Sequence, residues 1–293
     1  MNAADRTHQT LKLRDGRILG FAEWGVIGGK PLLLFGGSNS ARFARHPDES
    51  ILHELGVHLY TFDRPGMGLS TRQAGRSLLD WAADIRDFAT QKHIARFAII
   101  AASLGGPFGT ACAYALPDLL TSVTLVSAVS PLDDPAVMAS QSFPVRFNIF
   151  MGKHLPRLMA LQLNTLRPML KGNRPQALFR MIFKNLPTSD QFMIDHTALP
   201  EIFIQDIRES VRQGTVGAVD DLRACVGDWG FRLEDIRTKV YIWQGEADPN
   251  VTPIMARYMA ARIPGNETTF IPDAGHFLMF SHWQEIVTRC LVE

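Results

Sequence analysis

From Phe97 to Pro117 the chain carries no charged residue, a run as long as the roughly 20 residues that cross a bilayer. Its centre reads Ser103-Leu104-Gly105-Gly106-Pro107, and glycine and proline there interrupt the backbone hydrogen bonding that a spanning helix needs. The run must be buried by protein instead. It reads as a central strand, Phe97–Ala102, then a tight turn, then a helix of small residues, Leu104–Leu116, that can pack closely. A strand buried on both faces requires a sheet covered by helices on either side.

The surrounding sequence supplies one. Thr10–Leu13 and Ile18–Trp24 form a hairpin around Asp15-Gly16, a favoured two-residue turn. Pro31–Phe35, stopped by Gly36-Gly37, and His58–Phe62, stopped by Asp63-Arg64-Pro65-Gly66, are apolar runs of buried-strand type. Ser77 with Asp80 marks a helix start, and Leu78, Trp81, Ile85 and Phe88 then share one face to about His93. Further strands are predicted at Thr121–Ala128, Lys239–Trp243 and Thr268–Ile271, with helices at Pro253–Ile263 and His282–Leu291. Strands alternating with helices predict an α/β fold with a mostly parallel central sheet flanked by helices. Between about Pro131 and Gly230 strand-like runs vanish, and the expected organisation is a core of residues 1–130 and 231–293 with a helical cap inserted at 131–230.

Composition narrows the class. Lys plus Arg (30) nearly cancels Asp plus Glu (29) in a chain of 293 residues, so no global field favours a polyanion and nucleic acid is not an expected partner. Cys112, Cys225 and Cys290 are widely spaced and form no CxxC pattern, which suits a reducing compartment and predicts neither disulfides nor zinc. The other histidines form no ligand pair, so no metal and no cofactor is predicted. The charged stretch Met1–Arg17 lacks the apolar segment of a secretory signal, and the expected location is the cytoplasm.

The sharpest chemical signal is Ala101-Ala102-Ser103-Leu104-Gly105-Gly106 between strand and helix, close to G-x-S-x-G. A serine on such a turn projects its hydroxyl outward, the N–H of Leu104 points to a developing oxyanion, and small residues at 101 and 105 admit neighbouring backbone. Asp248, in Gly245-Glu246-Ala247-Asp248 after a strand, could orient an imidazole, and His276 follows the last strand in Asp273-Ala274-Gly275-His276. The order Ser103, Asp248, His276 is that of a hydrolase triad. Glu246, Asp133 and Asp134 are rivals for the acid. The loop Gly36-Gly37-Ser38-Asn39-Ser40 after an early strand can supply a second oxyanion donor, the amide of Ser38.

Together these motifs resemble the α/β-hydrolase superfamily, in its serine hydrolase and esterase-like branch with a helical cap. Asp63-Arg64-Pro65-Gly66-Met67-Gly68-Leu69-Ser70 is similar to its turn after the fourth strand, and Trp229-Gly230-Phe231 to the segment leading out of the cap in some members. The resemblance covers essentially the whole chain, with Gly36 where the family commonly has a histidine that helps fix the loop. It implies acyl transfer through a covalent ester on Ser103, with His276 as base, Asp248 orienting it, and Ser38 and Leu104 stabilising the oxyanion. The expected function is a carboxylesterase acting on a small or medium apolar ester, without stable membrane insertion. A lactonase, a cofactor-free haloperoxidase-like enzyme, a carbon–carbon bond hydrolase and an acyltransferase use the same triad. A non-catalytic receptor on this fold is the alternative to which Gly36 lends weight.

The cap carries a charge split. Eight basic and no acidic residues lie between Ala136 and Ser189, and ten acidic against four basic from Asp190 to Asp235. The favoured reading is mutual neutralisation within the cap; docking on an anionic membrane is the sharper one, weakened by Pro156, Pro168 and Pro175, which are expected to break any long helix. Phe143, Phe147, Phe150, Met151, Met159, Met169, Phe179 and Met181 are expected to form the cap core, some of them lining an acyl pocket.

Overall fold

The apolar runs assemble into one eight-stranded sheet, ordered β1-β2-β4-β3-β5-β6-β7-β8, in a computed structural model that describes residues 6–170, 179–180, 183 and 186–292. The strands are β1 (Gln9–Lys12), β2 (Ile18–Gly25), β3 (Lys30–Phe35), β4 (Val57–Phe62), β5 (Phe97–Ala102), β6 (Leu120–Val126), β7 (Val240–Gly245) and β8 (Glu267–Ile271). β1 and β2 form the predicted hairpin, and β2 runs antiparallel to β4. All other neighbours are parallel. From β3 the chain first adds β4 on one side, then returns to add β5 on the other. The order reverses between β3 and β5, and a crevice opens at the carboxyl ends of those two strands, where open parallel sheets bind ligands.

Helices follow in the order α1 (Ser50–Glu54), α2 (Leu78–Gln91), α3 (Gly106–Ala115), α4 (Pro135–Ala139), α5 (Phe143–His154) and α6 (Pro156–Leu170). They continue with α7 (Thr188–His196), α8 (Leu199–Ser210), α9 (Val216–Val226), α10 (Pro253–Ala260), α11 (Leu278–Ser281) and α12 (Trp283–Cys290). Helix α1 is too short to show a period in sequence. At α2 the Ser77 hydroxyl accepts the Asp80 amide and the Asp80 carboxylate accepts the Ser77 amide, the reciprocal cap that the sequence predicts. Its face of Leu78, Trp81, Ile85 and Phe88 is fully buried against the sheet.

The uncharged run is β5, a short 3₁₀ turn and α3. Phe97, Ile99 and Ala101 pack beneath α2 and α3, while Ala98 and Ile100 face Ile286 and Val287 of α12. Each buried isoleucine contributes about 1.5–3 kcal/mol by leaving water. Protein therefore covers both faces, and among the described residues no helix is long and apolar enough to cross a membrane.

Between β6 and β7 the described residues hold helices and no strand: α4 to α9 and a short 3₁₀ turn, Leu233–Asp235. Pro156 separates two helices as expected, since α5 ends at His154 and α6 opens at Pro156. Two other expectations are corrected: Pro168 sits in the last turn of α6 without breaking it, and the two charge blocks do not chiefly neutralise each other; Pro175 lies outside the described residues. Among the described residues the acidic block pairs chiefly with the sheet-side loops rather than with the basic block: Glu209 of α8 pairs with Arg42 at 2.7 Å, Asp220 of α9 with Arg72 at 2.7 Å, and Asp221 with Arg64 at 2.6 Å and with Arg76. These arginines rise from the loops after β3 and β4, directly below α8 and α9. Between the two blocks, Arg180 meets Asp195 at 3.4 Å, with both side chains exposed; Lys171, Arg174 and Lys184 lie outside the described residues.

The expected aromatic core is corrected too. Phe143, Phe147 and Phe150 are 79%, 46% and 51% exposed, because their stripe on α5 points outward while Met151 and Gly152 face inward, Gly152 toward Leu222 of α9. Phe179 is buried with Phe183, Phe203 and Phe277. Met181 and the side chain of Met169 lie outside the described residues.

Candidate active site

Ser103 follows β5 with φ +53°, in the left-handed region that non-glycine residues rarely enter. Such a conformation costs about 1–3 kcal/mol and persists only where the surroundings over-determine it. Here the Val129 amide holds the Ser103 carbonyl at 3.1 Å. A β-carbon on Gly105 would overlap the carbonyl oxygen of Phe35, so only glycine lets this turn close against the end of β3. The Leu104 amide belongs to the first turn of the helical segment, where N–H groups have no partner within the helix.

Asp248 and His276 meet from adjacent strands. Asp248 lies in the turn after β7, where its Oδ1 accepts the amides of Asn250 (2.8 Å) and Val251 (3.0 Å), leaving Oδ2 at 2.8 Å from His276 Nδ1. Burial pushes the Asp248 carboxyl up, but the charge and hydrogen bond of His276 with the two amides outweigh it and hold it below the usual aspartate range. For His276 burial opposes protonation, yet the charge and hydrogen bond of Asp248, joined by the charge of Asp190, hold its pKa above the ordinary histidine value. The rival acids stand apart from the His276 ring: Glu246 is exposed and faces Arg257 at 3.5 Å, Asp134 caps α4, and Asp133 is exposed.

The loop after β3 explains its missing histidine. A β-carbon on Gly36 would overlap the Ser40 hydroxyl, which fills the space a side chain would need. The loop is gripped by Arg64, whose Nη1 donates to the Gly36 carbonyl at 2.8 Å and Nη2 to the Gly37 carbonyl at 2.7 Å. The Arg64 Nε donates to Asp221 at 2.6 Å, and the guanidinium lies 5.2 Å from the Phe108 ring centroid. Asp63, its neighbour, is fully buried and pairs with Arg42 at 2.7 Å.

Ser38, Ser103 and His276 line one cavity of about 650 Å³. Asp248 lies buried behind the imidazole, and the Leu104 side chain points into the core. The apolar wall comes from Leu199, Ile202 and Phe203 on α8, from Val145 on α5, and from Met279 and Phe280. None of the expected pocket residues among those described lines it, because α8 rather than the outer face of α5 lies over the crevice. Sequence reasoning missed Asp190, Asp206 and Asp221, buried carboxylates of α7, α8 and α9. Each meets partners at least 86 residues away in sequence, a distance at which no local pattern signals a contact.

Comparison with known proteins extends this geometry. The family described as alpha/beta hydrolase fold matches residues 31–282. An uncharacterised hydrolase of Bacillus subtilis (strain 168), YcgS, is 30% identical over 112 residues, which is 38% of this chain and only 39% of that protein's length. Among solved structures, an enol-lactonase from Burkholderia xenovorans LB400 superposes with a TM-score of 0.68 at 18% identity, over 97% of this chain and 100% of that one. A thermophilic esterase from Thermogutta terrifontis gives 0.67 at 18% identity, over 96% and 97%. At such identity the likeness is one of fold.

Proposed function

The chain belongs to the α/β-hydrolase fold family, and on that premise we propose that it is a serine hydrolase cleaving carboxylic esters through an acyl-enzyme. The observation that carries this reading is the Asp248–His276 pair opening on the same cavity as a serine held at positive φ. With Nδ1 engaged by Asp248, the Nε2 of His276 is free to take the Ser103 proton as Oγ attacks the ester carbonyl. The oxyanion of the tetrahedral intermediate is stabilised by the amides of Ser38 and Leu104. His276 returns the proton to the leaving alcohol, and water then releases the acid by the same path.

The substrate is a small to medium apolar ester. A cavity of about 650 Å³ walled by α8 suits an acyl chain, within the roughly 300–1,000 Å³ of small-molecule sites. Likeness to proteins called an esterase and an enol-lactonase supports ester chemistry. In this reading residues 131–230 act as a cap over a core of 1–130 and 231–293. Three buried free thiols support a reducing, cytoplasmic setting.

The test uses p-nitrophenyl esters of rising acyl length and a fluorophosphonate probe on wild type and Ser103→Ala. Wild type is expected to turn over short to medium esters and to label, and Ser103→Ala to lose about 10⁴-fold or more in kcat and all labelling. A wild type that neither hydrolyses any ester nor labels overturns the proposal and favours a ligand-binding role.

A further inference from the structure

Two buried carboxylates leave the cap for the loops that carry the reacting groups. Asp190 of α7, 2% exposed, accepts the His276 amide on Oδ2 at 2.7 Å and the Phe277 amide on Oδ1 at 3.1 Å. Gly275 makes room for it, since a β-carbon there would overlap the carboxylate. Ser189 adds a hydroxyl bond to the Asp273 carbonyl at 2.9 Å. His276 is thus fixed twice, at its ring by Asp248 and at its backbone by Asp190.

Asp206 of α8, 5% exposed, does the same for the loop after β3. It accepts the Ser40 hydroxyl at 2.8 Å, the Ala41 amide at 3.1 Å and the Phe43 amide at 3.0 Å. The Ser38 amide therefore lies between two fixed points, the carbonyls of Gly36 and Gly37 held by Arg64 and residues 40–43 held by Asp206. Burial, with the charge of Asp63 added, pushes the Asp206 carboxyl up to about 7 against the pull of these donors. Closing a lid over an apolar cavity needs no such buried charge, since well-packed apolar side chains do that as well or better. Fixing several donors at one point suits a carboxylate, whose two oxygens offer about four acceptor sites against two on a side-chain amide oxygen.

Resting on the hydrolase reading above, we infer that Asp190 and Asp206 are positioning residues through which the cap sets the geometry of the histidine and oxyanion loops. The cap is part of the reacting geometry as well as the wall of the substrate site.

The test compares Asp190→Asn and Asp206→Asn with wild type. Turnover and Ser103-dependent labelling of wild type stand or fall with the hydrolase reading alone. The inference is read from variant ratios and from amide hydrogen exchange of residues 36–43 and 273–278, which needs no turnover. Asp206→Asn is expected to lower kcat/KM about 10–100-fold and to weaken an alkyl trifluoromethyl ketone, which forms an oxyanion on the serine, by the same factor. The corresponding methyl ketone, which is not attacked, should bind within twofold of wild type. Asp190→Asn is expected to lower kcat about tenfold and to move the acid limb of kcat/KM to lower pH. The sign follows because one of the two carboxylates that face His276, Asp190 and Asp248, has lost its charge. In each variant its own loop should exchange faster. If either variant does not fold, Ser40→Ala and Gly275→Ala, which weaken the same two clamps, should lose about three- to tenfold in kcat/KM. The inference is overturned if the folded variants stay within twofold of wild type, if both ketones weaken equally, if the acid limb does not move, or if exchange in the two loops is unchanged.

Discussion

Replacing Arg64 with methionine removes one side chain that ties three parts of the molecule together. The guanidinium is 2% exposed and donates to Asp221, Gly36 and Gly37 at 2.6, 2.8 and 2.7 Å. Methionine keeps much of the packing of the stem on Phe108, so the loss is mainly polar. Each carbonyl left without a donor costs about 1–3 kcal/mol, and the low end applies because the cavity beside the loop can admit water. Asp221 keeps Arg76, so its share falls below the roughly 3–5 kcal/mol of a fully broken buried pair. The expected loss is about 4 kcal/mol, a large part of the roughly 5–15 kcal/mol that domains possess. Guanidinium denaturation should read it directly, and the melting temperature should drop by roughly 6 °C. Because the Ser38 amide lies in the freed loop, kcat/KM should fall about 10–100-fold in protein that is still folded. In a double-mutant cycle with Asp221→Asn the two losses should fall short of additivity by at least about 1 kcal/mol. A stability loss below about 1 kcal/mol together with unchanged kcat/KM would refute the view that Arg64 holds this loop.

Two further outcomes follow from the same geometry. Asp248→Asn should lower kcat by about 10⁴-fold by favouring the wrong histidine tautomer, while Glu246→Gln, whose carboxylate is exposed on Arg257, should stay within twofold; the reverse result in steady-state assays would move the acid to Glu246. His276 must be neutral to accept the serine proton, and its pKa is raised, so activity should be lost as pH falls through a value above the ordinary one of about 6.5; an acid limb below that in a kcat/KM profile would contradict the assigned environment.

The sheet was legible in sequence because buried parallel strands are nearly continuous apolar runs, and each of Pro31–Phe35, His58–Phe62 and Phe97–Ala102 ends at turn residues. Helix α2 announced itself through Ser77 and Asp80, three residues apart. Asp248 and His276 were readable as strand-end residues, and the structure brings them within 2.8 Å of each other. The helices between β6 and β7 were less legible, since this segment buries one face on the sheet loops and another on itself, and no single period reports both. Phe143, Phe147 and Phe150 look like core by residue type, yet only the rotation of α5 decides that they face outward. The grip of Arg64 was invisible because Asp221 lies 157 residues away.

The ion pairs that run from α8 and α9 to Arg42, Arg64, Arg72 and Arg76 bear on how such a protein can diversify. A segment joined to its scaffold only by apolar contact can be traded for another of similar shape, since greasy surfaces tolerate imperfect partners. Here a transplanted segment lacking a carboxylate in the place of Asp221 would strand the buried guanidinium groups of Arg64 and Arg76, each an unpaired buried charge, while Arg42 would keep Asp63. Exchanging these helices as a unit therefore costs more than replacing side chains along the cavity wall, such as Leu199, Ile202 and Phe203, which leaves every one of those ion pairs in place.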